Sequence, residues 1–281
     1  MRLTSKQLEF YEDNGFILLP GCFSPAHVAV VKNEIPPLLA EETLRRVIEK
    51  SGDVRSVYGS HSTNAILKRL SQHSNIVEPA MQIVNSPVYV YQFKINAKVA
   101  FSGDIWEWHQ DYVFWLKEDG MPASRVTNAA VFLDEVHEFN GPLFLIPGSH
   151  KEGVIDVAAH EETGQTAEEH ACAASSQYRQ PWLSNLTADL KYSLSKKTVA
   201  GLVEKYGITA PKGEPGSVLF FHGNLVHGSP NNISPFDRAV ILVTFNSVAN
   251  VPALTEKSRP EFLVSRDIEP IVALEDDALV A

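Results

Sequence analysis

The stretch GSVLFFHGNLVHGSPNNISPFDRAVILVTFNSV, residues 216–248, decides the fold class. It contains two apolar runs rich in β-branched and aromatic residues, 218–221 and 239–245, and a loop of Gly, Pro, Asn and Ser residues joins them. Runs of this kind between turn-forming residues predict β-strands. Similar runs occur at 87–101, 127–136 and 141–150. Several short strands separated by Gly and Pro clusters favour a sandwich or barrel, the class that includes jelly rolls.

The residues before this β-rich part have a helical pattern instead. Thr4 can cap a helix that Asn14-Gly15 ends, and Ser24-Pro25 places a proline at the first position of the next helix. Further helices are predicted over about 37–51 and 62–85, where apolar residues recur at helical spacing. The fold class is therefore mainly β with N-terminal helices.

We predict a single domain spanning residues 1–281. Its helical part covers 1–86, and the jelly-roll core consists of 87–150 and 212–250. Between these core segments, the insertion 151–211 is polar and loses the strand pattern, which makes it a candidate lid. After Val251 the pattern is weak, and the terminal EDDALVA is expected to fray.

Composition excludes several classes of partner and compartment. The net charge of -10 argues against a broad nucleic-acid surface, which needs a basic stripe. Neither a signal peptide nor an apolar run of about 18 residues occurs, so no membrane partner is expected. The two cysteines form no CxxC pair, and a reducing, cytoplasmic location is the default expectation. The oligomeric state stays open, with a homodimer as one alternative.

A histidine and an aspartate interrupt the aromatic run WHQDYVFW, residues 108–115. If this run is a strand, His109 and Asp111 project from the same face, as two ligands of one metal require. A third ligand is available at the end of the strand VLFFH or just after it, from either His222 or His227. Two histidines and one carboxylate form the facial triad of non-haem Fe(II) oxygenases. His150, in an H-x-E arrangement, is the main competing histidine.

Arg238 supplies a second element of the expected site. Enzymes with this triad commonly use 2-oxoglutarate, whose far carboxylate requires a fixed cation with two donors. The planar guanidinium of arginine meets that requirement better than lysine does. Arg238 begins a predicted strand eleven residues beyond His227, about the distance for a turn and a return to the neighbouring strand.

The same residues resemble the phytanoyl-CoA dioxygenase family of Fe(II)/2-oxoglutarate oxygenases, and within it the ectoine hydroxylase branch. The stretches that carry the resemblance are FYEDNGFILLPGCFS, QFKINAK, WHQDYVFWLKEDGMP, NGPLFLIPGSHKEG and PKGEPGSVLFFHGNLVHGSPNNISPFDRAVILVTFNSV. They extend from residue 10 to about 248, and 151–210 is the least similar part. The resemblance implies a double-stranded β-helix, a cupin-like jelly roll with N-terminal helices.

The resemblance also implies roles for individual residues. His109, Asp111 and His227 are the implied iron ligands, which leaves His222 as a supporting residue behind them. The implied 2-oxoglutarate contacts are Arg238, Ser229, Gln92 and Asn96. Lys94 lies between the last two on the same strand and, with Tyr112 and Trp115, is a candidate substrate contact.

The expected reaction is hydroxylation of an unactivated C–H bond in a small polar or zwitterionic substrate, such as a free or cyclic amino acid. Fe(II), 2-oxoglutarate and O2 are the expected cofactor and cosubstrates, with succinate and CO2 as co-products. Tyr112-Val113-Phe114 departs from the ectoine hydroxylase pattern, so ectoine itself is not the expected substrate. Two alternatives remain: desaturation or cyclisation by the same iron chemistry, and a non-redox, cupin-like metal-binding protein.

Overall fold

A computed structural model describes residues 1–155, 190–253 and 258–280. The helices are α1 (Ser5–Asn14), α2 (Pro25–Asn33), α3 (Ile35–Ala40), α4 (Ala65–Ser71), α5 (Ser74–Val84), α6 (Asp111–Asp119) and α7 (Lys196–Tyr206), with short 3-10 turns at Ser60–Ser62, Ser149–Glu152 and Asp276–Leu279. The strands are β1 (Phe16–Leu19), β2 (Arg46–Ile48), β3 (Val54–Tyr58), β4 (Val88–Lys98), β5 (Trp106–His109), β6 (Val126–Phe132), β7 (Phe144–Leu145), β8 (Val218–His222), β9 (His227–Ser229) and β10 (Arg238–Ser247).

Two antiparallel sheets organise these strands. The larger sheet has the order β1-β8-β6-β10-β4-β3-β2, and the smaller has the order β5-β9-β7. Along β10, Ile241 and Val243 belong to the core that packs against the N-terminal helices. Val240 and Leu242 belong to the core on the opposite face. This alternation gives the larger sheet two buried faces, and the architecture is the predicted double-stranded β-helix with helices outside.

A β-bulge in β4 changes which side chains face the interior. The register between β10 and β4 pairs Thr244 with Gln92, but the next residue of β10 pairs with Val90. Tyr91 and Gln92 therefore both point inward, toward the aromatic core and the cavity described below, whereas Val90 faces the helices. A bulge of this kind commonly redirects a side chain beside a functional site.

The helix ends of the N-terminal part form as predicted. Thr4 accepts a hydrogen bond from the backbone of Gln7 and completes a capping box, and Gly15 ends α1 with a left-handed backbone (φ 77°). Ser24 caps α2 in the same way, with Pro25 at the first helical position. These caps satisfy donors that the first turn of a helix leaves unpaired, so they are readable from short motifs.

The predicted helix over about 37–51 is wrong beyond residue 40. The chain leaves α3 and forms the hairpin of β2 and β3, in which Val47 is 1% exposed. Burial of Val47 against the edge of the sheet outweighs the weak helix propensity of its neighbours, because propensity differences are only tenths of a kcal/mol per residue. The strand β3 was not predicted at all.

The expectation that the tail frays is also wrong for the described residues. Ser265 donates its backbone N–H to Tyr91 and Ile271 donates to Val88, so the tail runs back along β4. Leu279 is 1% exposed and packs in the core beneath the helices. The tail therefore belongs to the folded domain.

The insertion is described only at its two ends. Its second part contains α7, but residues 156–189 lie outside the described part, and with them most of the candidate lid. Within the described ranges, no helix combines the length and the apolar character that crossing a bilayer requires.

Candidate active site

The structure brings His109, Asp111 and His227 together at one end of the space between the sheets. His109 is the last residue of β5, and His227 is the first residue of β9, opposite it in the antiparallel register. Asp111 is not on the strand, because β5 ends at His109 and Asp111 begins α6. The prediction of proximity is confirmed, although its strand-based reason is wrong. Tyr112 and Trp115 consequently follow helical spacing instead of alternating across a strand.

The three side chains have the geometry of a metal centre. His109 Nε2 lies 3.5 Å from Asp111 Oδ1, and His227 Nε2 lies 3.8 Å from Asp111 Oδ2. One ligand atom from each residue lies within 4.8 Å of the other two, and all three residues are buried. The Nδ1 atoms face the carbonyl oxygens of Glu107 and Leu225 at 2.6 and 2.9 Å. Each Nδ1–H can thus donate to a carbonyl, which leaves both Nε2 lone pairs for a metal ion.

A chain of hydrogen bonds fixes the orientation of the Asp111 carboxylate. Asn128 on β6 donates its Nδ2 to Asp111 Oδ2 at 2.9 Å. Thr244 on β10 donates its hydroxyl to Asn128 Oδ1 at 2.7 Å, which fixes the amide orientation of Asn128. Sequence reasoning missed both residues, because their contribution depends on cross-strand neighbours and not on a motif.

Burial and the local charges keep Asp111 and His227 in the forms that bind a cation. Burial raises the pKa of Asp111, but Lys94, His227 and His109 outweigh it and hold that pKa well below its usual range. Burial and the adjacent His109 lower the pKa of His227 to about 4. At neutral pH the site therefore presents a carboxylate and a neutral imidazole, as metal coordination requires.

A cavity of about 350 Å³, counting its opening to solvent, adjoins the triad. Its lining residues are Tyr58, Gln92, Lys94, Trp106, His109, Asp111, Phe114, Trp115, Leu190 and Arg259. We refer to His109, Asp111 and His227 as the metal end. Lys94, Phe114, Trp115, Leu190 and Arg259 are the substrate wall.

The predicted contacts divide into those that line the cavity and those that do not. Gln92, Lys94 and Trp115 line it. The Tyr112 hydroxyl donates to the carbonyl of Met121, and Tyr112 is not among the lining residues. Asn96 accepts a hydrogen bond from the Ser56 hydroxyl at 2.8 Å and is likewise outside the lining.

Arg259 lines the cavity, and no sequence motif identified it. Its Nε and Nη2 atoms donate to the two carboxylate oxygens of Asp119, at the end of α6, at 2.7 and 2.6 Å. The Tyr91 hydroxyl donates to the same carboxylate. Arg259 lies after Val251, where the sequence pattern is weak, so its proximity to the cavity becomes visible only in three dimensions. Leu190 lies within the insertion, and its place in the cavity lining was likewise not predicted from the sequence.

Arg238 is buried at the start of β10, and neither it nor Ser229 is among the residues that line the cavity. Its Nε and Nη2 atoms donate to the carbonyl oxygens of Asn140 and Gly141 at 3.0 and 2.8 Å. Burial lowers the pKa of Arg238 to about 10, so the guanidinium stays charged at neutral pH. Ser229 follows His227 on β9, and its Oγ is buried without a hydrogen-bond partner among the described residues.

The two other histidines considered from sequence pair with each other. The rings of His150 and His222 are 5.2 Å apart, and His222 Nδ1 accepts a hydrogen bond from the backbone of Asn224. Within the described residues, the group that can hold a metal is His109, Asp111 and His227, so His150 is excluded from it. No hydrogen bond in that part of the chain joins His222 to the triad, and its supporting role stays a prediction.

Two histidines and a carboxylate inside a double-stranded β-helix define the class of non-haem iron oxygenases. The model of the phytanoyl-CoA dioxygenase family matches residues 11–240, and the chain belongs to that family. It is 36% identical over 270 residues to the L-proline trans-4-hydroxylase of Streptomyces griseoviridis, covering 96% of this chain and 95% of the relative. It is 35% identical over 275 residues to the ectoine dioxygenase of Nocardia farcinica, covering 95% and 87%.

Solved structures agree with this assignment. EctD from S. alaskensis, crystallised with 2-oxoglutarate and 5-hydroxyectoine, has a TM-score of 0.79 at 28% identity and covers 97% of this chain and 88% of its own. The 2-oxoglutarate-dependent carbocyclase SnoK has a TM-score of 0.65 at 20% identity, covering 98% and 95%, and shows the shared fold alone. The protein is thus a 2-oxoglutarate-dependent, iron-using hydroxylase of a small substrate. This assignment disagrees with the non-redox alternative.

Proposed function

We propose that this enzyme hydroxylates a ring C–H bond of a small cyclic amino acid, and that the substrate carboxylate binds near Arg259 and Lys94. The observation that carries the proposal is the position of these two cations in the same cavity wall as the aromatic rings of Phe114 and Trp115, directly beside the triad. The amino-acid hydroxylase and the ectoine dioxygenases among the relatives support the same substrate class.

His109, Asp111 and His227 would hold Fe(II). The donor set fits, because both Nδ1 atoms already face carbonyl oxygens and the carboxylate is oriented by Asn128. When bound, Fe(II) with 2-oxoglutarate and O2 supplies the oxidising chemistry that converts C–H to C–OH and releases succinate and CO2. The protein's own contribution is to orient the ligands and to exclude water from the cavity.

Arg238 and Ser229 would hold the far carboxylate of 2-oxoglutarate. Arg238 donates from Nε and Nη2 to two backbone carbonyls, so the remaining N–H groups of its guanidinium can be directed at an anion. The buried, unpartnered Oγ of Ser229 is a hydroxyl that gains a hydrogen bond when such an anion is present. Gln92 lines the cavity and donates to the carbonyl of Leu263, which supports a role in the cavity wall. Asn96 remains a proposal without a cavity contact.

The substrate wall suits a compact zwitterion. Arg259 is held by a bidentate contact with Asp119, so its position is fixed before a ligand arrives. The ring of Trp115 and that of Phe114 give flat apolar surfaces next to these cations.

A succinate-coupled screen tests the proposal. The purified enzyme with Fe(II), ascorbate and 2-oxoglutarate is offered L-proline, its six-membered homologue, open-chain amino acids and ectoine. We expect substrate-stimulated succinate with the cyclic amino acids and a hydroxylated product by NMR. An unsaturated or bicyclic product would instead establish desaturation or cyclisation. Stimulation by none of the cyclic amino acids would contradict the proposed substrate class.

A further inference from the structure

Lys98 is a buried lysine that the proposed chemistry does not use. It ends β4, where its Cα is paired with that of Arg238 across the antiparallel ladder, and it is 3% exposed. Its amino group lies among two arginines, Arg238 on β10 and Arg55 on β3, and two carboxylates, Glu49 after β2 and Asp104 before β5. Burial of a lysine is costly, so its place here calls for a structural reason.

The hydrogen bonds of Lys98 join two separate loops, and its aliphatic stem packs against a third. Its Nζ donates to the carbonyl of Asp104 at 2.7 Å and to that of Pro230 at 2.5 Å. Its own carbonyl accepts from Asn232 Nδ2 at 3.1 Å. A Cβ atom on Gly141 would come within 2.6 Å of Lys98 Cδ, so the lysine stem packs directly against the Gly141 backbone.

Two of these loops carry the groups proposed to bind the far carboxylate of 2-oxoglutarate. Pro230 directly follows Ser229, and the carbonyl of Gly141 is the acceptor for Arg238 Nη2. Lys98 therefore sets the distance between the backbone that carries the hydroxyl and the backbone that holds the guanidinium. Losing Lys98 would leave two partly buried carbonyls without this donor and would let the two loops move apart.

The charge environment of Lys98 indicates whether it aligns the loops or pairs directly with a bound anion. Burial, then Arg238 and Arg55, lower the pKa of Lys98 to about 6, against the opposing effect of Glu49 and Asp104. Above that pH the side chain is a neutral amine with two N–H groups, and it has two carbonyl acceptors. Because each N–H group has a carbonyl acceptor, the geometry favours alignment of the loops over direct ion pairing with a bound anion.

We propose that Lys98 is a positioning residue that aligns Arg238 and Ser229 for the far carboxylate of 2-oxoglutarate. This inference rests on the proposed function of those two residues.

The test compares two 2-oxoacids that differ only at the far end. Wild type, Lys98→Met and the control Lys212→Met, which removes an exposed lysine paired with Glu138, are titrated anaerobically with Fe(II) and either 2-oxoglutarate or 2-oxopentanoate. The absorption band of the iron–2-oxoacid chelate reports binding. We expect Lys98→Met to weaken 2-oxoglutarate binding by about 10- to 100-fold. Binding of 2-oxopentanoate and of Fe(II) should stay within about twofold of wild type, and Lys212→Met should match wild type throughout.

Turnover gives an independent readout of the same effect. The KM for 2-oxoglutarate should rise in Lys98→Met while kcat at saturating 2-oxoglutarate stays near that of wild type. If Lys98→Met does not fold, Lys98→Gln is tested instead, because it keeps a neutral N–H donor. It should also weaken 2-oxoglutarate binding selectively, but by a smaller factor.

Three outcomes would overturn the inference. Unchanged 2-oxoglutarate binding in the variants would remove the positioning role, and equal loss for both 2-oxoacids would mark Lys98 as a general structural residue. Wild-type protein that binds 2-oxoglutarate no better than 2-oxopentanoate would contradict the proposed function of Arg238 and Ser229, and this inference with it.

Discussion

The metal end and the substrate wall of one cavity are built in different ways. The metal end takes His109 and Asp111 from a single strand–helix junction, and the opposing strand adds His227. The substrate wall takes Lys94, Leu190 and Arg259 from parts of the chain far apart in sequence. Backbone carbonyls and a buried amide fix the metal end, whereas ion pairs and packing fix the wall. Two of the three metal ligands are thus neighbours in sequence, whereas these residues of the substrate wall are dispersed.

The largest effect should follow from a change at the metal end. Asp111→Ala removes the carboxylate that faces both Nε2 atoms, and activity should fall by about a thousandfold or more with loss of Fe(II) binding. Isothermal titration with Fe(II) and the succinate assay measure the two quantities. His150→Ala is the matched control and should keep both. Retained iron binding in Asp111→Ala would contradict the assignment of Asp111 as a metal ligand.

The next effect concerns the ion pair that holds the substrate wall. Arg259→Leu leaves the buried carboxylate of Asp119 without its partner, and the free energy of unfolding should fall by about 3–5 kcal/mol. Urea unfolding monitored by circular dichroism measures this loss. Lys191→Met breaks the partly exposed pair with Glu118 and should cost about 0–1 kcal/mol. Equal costs for both variants would show that Arg259 is not structurally fixed as described.

A smaller effect is expected behind the metal end. Asn128→Leu removes the donor to Asp111, and Fe(II) affinity should fall by about 10- to 100-fold while the fold is retained. Thr244→Val acts only through Asn128 and should cost less. Competition with a chelator of known affinity gives both dissociation constants. A larger loss in Thr244→Val than in Asn128→Leu would contradict the proposed order of contacts.

The smallest effect should be a change in selectivity at the wall. Leu190→Ala shortens an aliphatic side chain in the cavity lining, so the ratio of kcat/KM for six- over five-membered rings should rise by about tenfold. Iron and 2-oxoglutarate binding should not change. Val199→Ala on α7, outside that lining, is the control. An unchanged ratio would remove Leu190 from the specificity-determining residues.

The same contrast explains what could be predicted from the sequence. The alternation of apolar runs predicted the jelly roll, and the H-x-D motif predicted the proximity of His109 to Asp111, because both depend on residues close in the chain. The helical start at Asp111 could not be predicted because no side chain caps α6, and the bulge at Gln92 could not because it depends on cross-strand register. Arg259 and Lys98 were missed because their partners are distant in sequence.

A crystal structure of the enzyme with Fe(II) and 2-oxoglutarate, recorded at the iron absorption edge, tests the central claim most directly. We expect one anomalous peak bound by the Nε2 atoms of His109 and His227 and a carboxylate oxygen of Asp111. We also expect the far carboxylate of 2-oxoglutarate against Arg238 and Ser229. Iron beside His150 and His222, or a far carboxylate bound at Arg259, would contradict that claim.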